Sequence, residues 1–191
     1  MKILIGAFIL LLLGFVPAKA EEPQRAFSLF AGHLTSNNWD ELFSVNEVDW
    51  VDSYFLAAAL SQRLGGYQDL LSYEVEGQLV RHFHLQNNWE FNALGVLRWE
   101  PFWWDDWLDT SLAYGLGFSY ATEKPVVERE KAGKTTARFL VYWMLELAFV
   151  PYAKRPDIEW FFRIHHRSSG YGLLAEEGGS NALATGLRYS F

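Results

Sequence analysis

The chain has 191 residues, of which 15 are Phe, 9 Tyr and 9 Trp, and a formal charge of -7. It contains no Cys, which excludes a disulfide-stapled scaffold, a Cys-ligated zinc or iron–sulfur site and a thiol nucleophile. Its acidic balance, with no Lys/Arg cluster, argues against nucleic acid as a partner. The apolar half of its composition argues against disorder, and the length fits one domain or one barrel.

Residues 1–20 read as a secretory signal peptide. Lys2 gives the positive start, Ile3 to Val16 the apolar stretch, and Ala18-Lys19-Ala20 the small-residue cleavage site before Glu21. The apolar run is shorter than the ~20 residues a spanning helix needs. Removing Lys2 and Lys19 with the segment takes the charge to -9. No later stretch is an apolar run of spanning length, so insertion into a membrane would have to be as a β-barrel, the other structure that satisfies its own backbone in lipid.

Residues 21–191 carry recurrent period-two patterning, the signature of barrel strands. Strands are expected near 26–34, 50–62, 71–84, 89–100, 111–121, 137–151, 158–168 and 180–191, which predicts an all-β fold, an eight-stranded antiparallel transmembrane β-barrel. In the third, Tyr73, Val75, Gly77 and Leu79 share one face, with Glu74, Glu76 and Gln78 on the other. In the fifth, Leu112, Tyr114, Leu116, Phe118 and Tyr120 alternate with Ala113, Gly115, Gly117, Ser119 and Ala121, as large residues in lipid and small ones in a narrow lumen would. In the sixth, Phe139 to Phe149 turn their apolar alternates outward and leave Glu146 inside. Buried acids need partners, for which Arg63, Arg98 and Arg163 are candidates. Between the strands lie Leu64-Gly65-Gly66, Asn87-Asn88, Glu100-Pro101, the charged stretch 123–134, residues 154–157 and Gly178-Gly179, all turn or loop signals. Pro101-Phe102-Trp103-Trp104 with Trp107 suits an interfacial aromatic girdle. With both ends in the periplasm, the connections 35–49, 122–136 and 169–179 fall outside the cell and 64–70, 101–110 and 152–157 inside. A soluble lipocalin-like barrel is the competing architecture and would turn its large residues inward.

The hairpin 158–191 holds the residues that can do chemistry. His166 and Ser168 are two apart, so on a strand they share a face with Trp160, Phe162 and Ile164, the outer one. Asn181 shares the outward face of the last strand with Leu183, Thr185, Leu187, Tyr189 and Phe191, and is expected across the hairpin from Ser168. A hydroxyl, an imidazole and an amide on one patch can support acyl transfer, since a serine nucleophile needs a base and the base needs a group to fix its tautomer. Polar residues at a barrel rim are also what faces water and headgroups. His165 shares the opposite face with Arg163 and Arg167 and is expected to be hydrogen-bonded in the interior. Adjacent histidines diverge on a strand and no carboxylate stands two residues away, so no metal site is expected. Arg167 could reach the rim and meet a phosphate, which its fork suits.

Signal peptide, eight strands, H-x-S near the end of strand seven, the Gly178-Gly179-Ser180-Asn181 start of strand eight and the terminal Phe191 together resemble the lipid A 3-O-deacylase (PagL-type) family, most specifically over 163–191. The resemblance implies a carboxylic ester hydrolase in the bacterial outer membrane that removes the 3-O-linked acyl chain of lipid A, the lipopolysaccharide anchor, with no metal or cofactor. It would make His166 the general base and Ser168 the nucleophile. Where the best-known members follow the serine with Asn, a plausible oxyanion donor, this chain has Ser169, the oxyanion candidate here; where they orient the histidine with Glu, it has Asn181, with Glu177 as the alternative third member and Glu176 beside it. An Asn holds an imidazole by hydrogen bond but lends its cation no charge, so a slower enzyme is expected. The oligomeric state is left open, a homodimer included.

Two further readings compete. One is a non-catalytic structural or adhesive barrel whose external loops do the work. The other is an acyltransferase, which would need a second lipid in the lumen, a poor place for an acyl chain given Glu74, Glu76 and Glu146.

Overall fold

The computed structural model of the protein describes residues 24–43, 48–68, 70–100, 102–131, 136–150 and 157–191. The expected signal peptide lies outside these residues, as do Pro101 of the aromatic girdle and most of the connection 152–157. Eight antiparallel strands, β1 (Arg25–Thr35), β2 (Trp50–Tyr67), β3 (Leu71–His84), β4 (Trp89–Trp99), β5 (Thr110–Ala121), β6 (Phe139–Phe149), β7 (Ile158–Ser168) and β8 (Gly179–Ser190), pair in sequence order. They close on themselves through β1 and β8, so the sheet has no free edge. A short 3-10 turn (Glu41–Phe43) lies in the β1–β2 loop and a six-residue helix, α1 (Val126–Lys131), in the β5–β6 loop. The strands match expectation closely. β2 runs on to Tyr67 past an irregularity between Arg63 and Gly65, and β6 begins and ends two residues inside its expected limits.

Alternation decides what faces where. Along β4, and along β1 and β5 over most of their length, buried residues alternate with exposed ones, the pattern of a sheet with one face on the lumen. The large residues point outward: Leu29, Leu56, Leu60, Val75, Leu79, Phe91, Phe118, Phe162 and Leu187 are all exposed. Aromatic side chains band both ends of this apolar wall. Trp50, Tyr54, Phe83, Trp89, Tyr120 and Phe139 stand at the end bearing the long loops, and Tyr67, Trp99, Trp103, Trp107, Trp160 and Tyr189 at the turn end, with Trp103 at 87% and Trp107 at 75% exposure. A lipocalin-like interior is thereby excluded, because the large residues are on the outside.

The lumen is filled. Glu146 accepts from Arg163 Nη2 at 2.6 Å, Arg98 Nη2 at 3.0 Å and Arg188 Nη2 at 2.5 Å. Arg163 Nη1 donates to Glu76 at 2.8 Å and Arg98 Nε to Glu74 at 2.8 Å. Of the arginines expected to pair with these acids, Arg98 and Arg163 do so, and Arg63 stands across from Glu74 in register. Arg188, on the inward face of β8, completes the cluster. Towards the loop end lies an aromatic layer of Phe30, Phe55 and Phe161, and above it Glu90 takes His165 Nε2 and His82 Nε2, each at 2.9 Å, while Tyr142 Oη meets His165 Nδ1 at 3.0 Å. His165 is thus the interior hydrogen-bonded residue expected. Arg167 is not at the rim. It is buried in the lumen, 2.8 Å from Glu128 and 3.6 Å from Glu90, because inward parity on β7 carries it under α1.

Candidate active site

β7 is rich in aromatic and β-branched residues, Ile158-Glu159-Trp160-Phe161-Phe162, which favours an extended strand. Its alternation puts His166 and Ser168 on the outer face with Trp160 and Phe162, at the loop end. His166 stands directly across from Trp143 on β6 and from Asn181 on β8, and residues so placed have Cβ atoms about 5 Å apart. The Trp143 and His166 rings lie 4.6 Å apart at 37°, and His166 Nδ1 is hydrogen-bonded to Asn181 Oδ1. Asn181 was expected across from Ser168; Gly179 takes that place. The slip of two residues keeps Asn181 on the same face and moves it onto the imidazole.

The first loop roofs the pair. Asn181 Nδ2 donates to the Asn37 carbonyl at 2.7 Å, and Asn37 is itself pinned, its Oδ1 accepting from Thr35 Oγ1 at 2.6 Å and Asp49 N–H at 2.7 Å. The edge of Trp39 packs on Trp143, centroids 5.9 Å apart. Although both residues lie on the outer face, His166 is therefore only 8% exposed and Asn181 4%. What remains open is a cavity of about 260 Å³ lined by Asn38, Trp39, His166, Glu177, Gly178, Gly179 and Asn181. Glu177 is brought to this cavity, whereas Glu176 is exposed outside its lining.

Ser168 is half-buried, and its Oγ accepts the Gly170 N–H at 3.1 Å. The neighbouring Ser169 N–H goes instead to the Gly178 carbonyl at 3.0 Å. Gly170 has φ of 67°, and a Cβ there would come within 2.8 Å of Val141 Cγ2, so this tight return to the serine requires glycine.

The same hairpin is stapled from inside. Arg167 and Ser180 are opposite each other in register, and both reach Glu128 of α1: Arg167 Nε at 2.8 Å and Ser180 Oγ, donating, at 3.0 Å. Thr136 Oγ1 donates to the other carboxylate oxygen at 2.8 Å. Burial pushes the Glu128 carboxyl above its ordinary value, against the opposing pull of Arg167 and the two hydroxyls. One buried carboxylate thus fixes the inward neighbours of His166, Ser168 and Asn181. Nothing in the sequence singles out Glu128, Asn37 or Trp39, which lie in loops; Trp143 could have been found only by knowing the β6–β7 register.

No family model matches this chain, and no curated protein matches it. Among solved structures it is similar to Neisserial surface protein A, with a TM-score of 0.54 at 11% identity, over 90% of this chain and 100% of that one. At that identity the likeness concerns the fold, an eight-stranded barrel of the outer-membrane type.

Proposed function

We propose that this barrel is an outer-membrane serine esterase that removes the 3-O-linked acyl chain of lipid A. The observation carrying the reading is the hydrogen bond between His166 and Asn181 on the outer wall, one strand pleat from Ser168. An apolar wall between two aromatic bands suits a bilayer, and the loop end, where the pair sits, is then the end at outer-leaflet depth.

The chemistry follows from the tautomer. With Asn181 Nδ2 committed to the Asn37 carbonyl, its Oδ1 faces the imidazole and accepts Nδ1–H, which leaves the Nε2 lone pair as base. Nε2 takes the Ser168 hydroxyl proton as Oγ attacks the ester carbonyl. The Gly170 N–H donates to Oγ in the resting hairpin; as Oγ bonds the ester carbon this donor is released to the adjoining carbonyl oxygen, on which negative charge develops. Collapse of the tetrahedral adduct expels the sugar oxygen, which takes the proton from Nε2, and water releases the acyl group by the same steps in reverse roles. A neutral amide orients an imidazole in Cys-His-Asn hydrolases as well. Glu177, lining the same cavity, is the second candidate for the orienting role.

The lumen cluster of Glu76, Glu146 and Arg163 fills the space that an acyltransferase would need for a second lipid. Mass spectrometry of lipid A after incubation with detergent-purified protein tests the reading. Wild type removes one hydroxyacyl mass, and Ser168→Ala and His166→Ala do not. An unchanged spectrum with wild type, under conditions where a working deacylase acts, favours the non-catalytic barrel with functional loops.

A further inference from the structure

The wall opposite the candidate site carries a second feature. Among the described strand residues, the arginine and lysine side chains on the outer face are Arg25 at the turn end and Arg81 on β3 near the loop end. Arg81 faces Leu56 on β2 and Trp89 on β4 in register. Its guanidinium lies 5.3 Å from the Trp89 ring centroid and 5.5 Å from that of Phe83, and Nη2 donates to Asn87 Oδ1 in the β3–β4 turn. Two rings and an amide hold it in place, while among the described residues no carboxylate pairs with it. The exposed Asp52 across the same rim is 3.4 Å from His84 instead.

Below the guanidinium runs an apolar groove of about 750 Å³. Ala31 and Ala58 make it concave, Leu29, Leu56 and Leu79 flank it, Trp89, which carries the arginine, lines one end, and Leu187 and Tyr189 of β8 line the other side. A fixed cation at the interfacial end of a groove sized for hydrocarbon is complementary to one kind of molecule, a lipid with a phosphate in its headgroup. A guanidinium with no carboxylate among the described residues calls for a counter-charge from outside the chain, since lipid-facing charge is unfavourable unless it reaches the interface and finds one.

We infer that Arg81, Phe83 and Trp89, with the groove that runs from them across β2 and β1 to β8, form a binding site for one anionic, phosphate-bearing lipid of the surrounding leaflet, its headgroup anchored on β3 and β4, away from His166 and Ser168. The inference rests on the reading of the outer wall as lipid-facing and is independent of the esterase. Native mass spectrometry of the full chain tests it. Ser168→Ala protein, in which hydrolysis plays no part, is released from detergent containing equal amounts of phosphatidic acid and phosphatidylcholine with identical chains. The site predicts enrichment of phosphatidic acid adducts, reduced about fivefold by adding Arg81→Gln, largely kept by Arg81→Lys and unchanged by Arg25→Gln at the other rim. Equal enrichment with and without Arg81→Gln, or an equal loss on Arg25→Gln, overturns the site. Displacement of the lipid by inorganic phosphate at the same concentration overturns the lipid as its occupant.

Discussion

Replacing Arg163 with Met would remove the cation that joins two otherwise buried acids. Arg163 gives Glu76 hydrogen bonds at 2.8 and 3.4 Å and Glu146 bonds at 2.9 and 2.6 Å, and its guanidinium stacks 4.8 Å from the Phe30 ring and 5.0 Å from that of Phe161. Glu146 would keep Arg98 and Arg188, but among the described residues Glu76 would keep only the hydrogen bond from the Gln78 amide at 2.7 Å. The loss is therefore concentrated on one stranded carboxylate, and breaking a buried ion pair from one side costs about 3–5 kcal/mol. Urea unfolding in detergent, followed by tryptophan fluorescence, reads this as a fall in midpoint. Adding Glu76→Gln to Arg163→Met removes the stranded charge and should restore about 1–3 kcal/mol. A single variant within about 1 kcal/mol of wild type, or a double variant no better than the single, would refute the view that these charges lock the lumen.

Three further outcomes bear on the site. Asn181→Ala should lower kcat about 100-fold with KM little changed, by freeing the imidazole tautomer, whereas Asn181→Asp should raise kcat by stabilising the imidazolium and lose about 1–3 kcal/mol by facing the Asn37 carbonyl with a carboxylate; both are read by lipid A turnover and urea midpoint. Gly170→Ala, strained at φ of 67° and crowded by Val141, should cost about 1–2 kcal/mol and about 100-fold in kcat as its N–H leaves the serine. Because burial holds the Glu128 carboxyl above its ordinary 4.5, its contribution to stability is complete below that value and is lost as pH rises through the folded-state value; thermal midpoints should show wild type losing ground to Glu128→Gln across that window, and parallel pH profiles would contradict the assignment.

Faces were legible in the sequence and register was not. Period-two alternation sorts Leu112 from Ala113 and Glu146 from Leu147 because a one-residue slip would invert every side chain. A two-residue slip preserves every face, so alternation could not distinguish Asn181 opposite Ser168 from Asn181 opposite His166. The loop 169–178, through Gly170 and the Ser169–Gly178 hydrogen bond, makes that choice. Parity also placed Arg167 inside, yet its reach depends on α1 lying over the lumen, where Glu128 meets Arg167, Ser180 and Thr136; Arg188, on the inward face of β8, is not singled out by the sequence. The burial of His166 and Asn181 likewise comes from Asn37 and Trp39, delivered by a loop whose path no periodicity encodes.

The most direct test of the central claim is whether Ser168 is an activated nucleophile. A long-chain fluorophosphonate, incubated with the detergent-solubilised protein and located by peptide mass spectrometry, should add one phosphonyl group at Ser168 in wild type and fail to do so in His166→Ala protein that still forms the barrel. Labelling that is absent from wild type, or that persists equally without His166, would contradict the account.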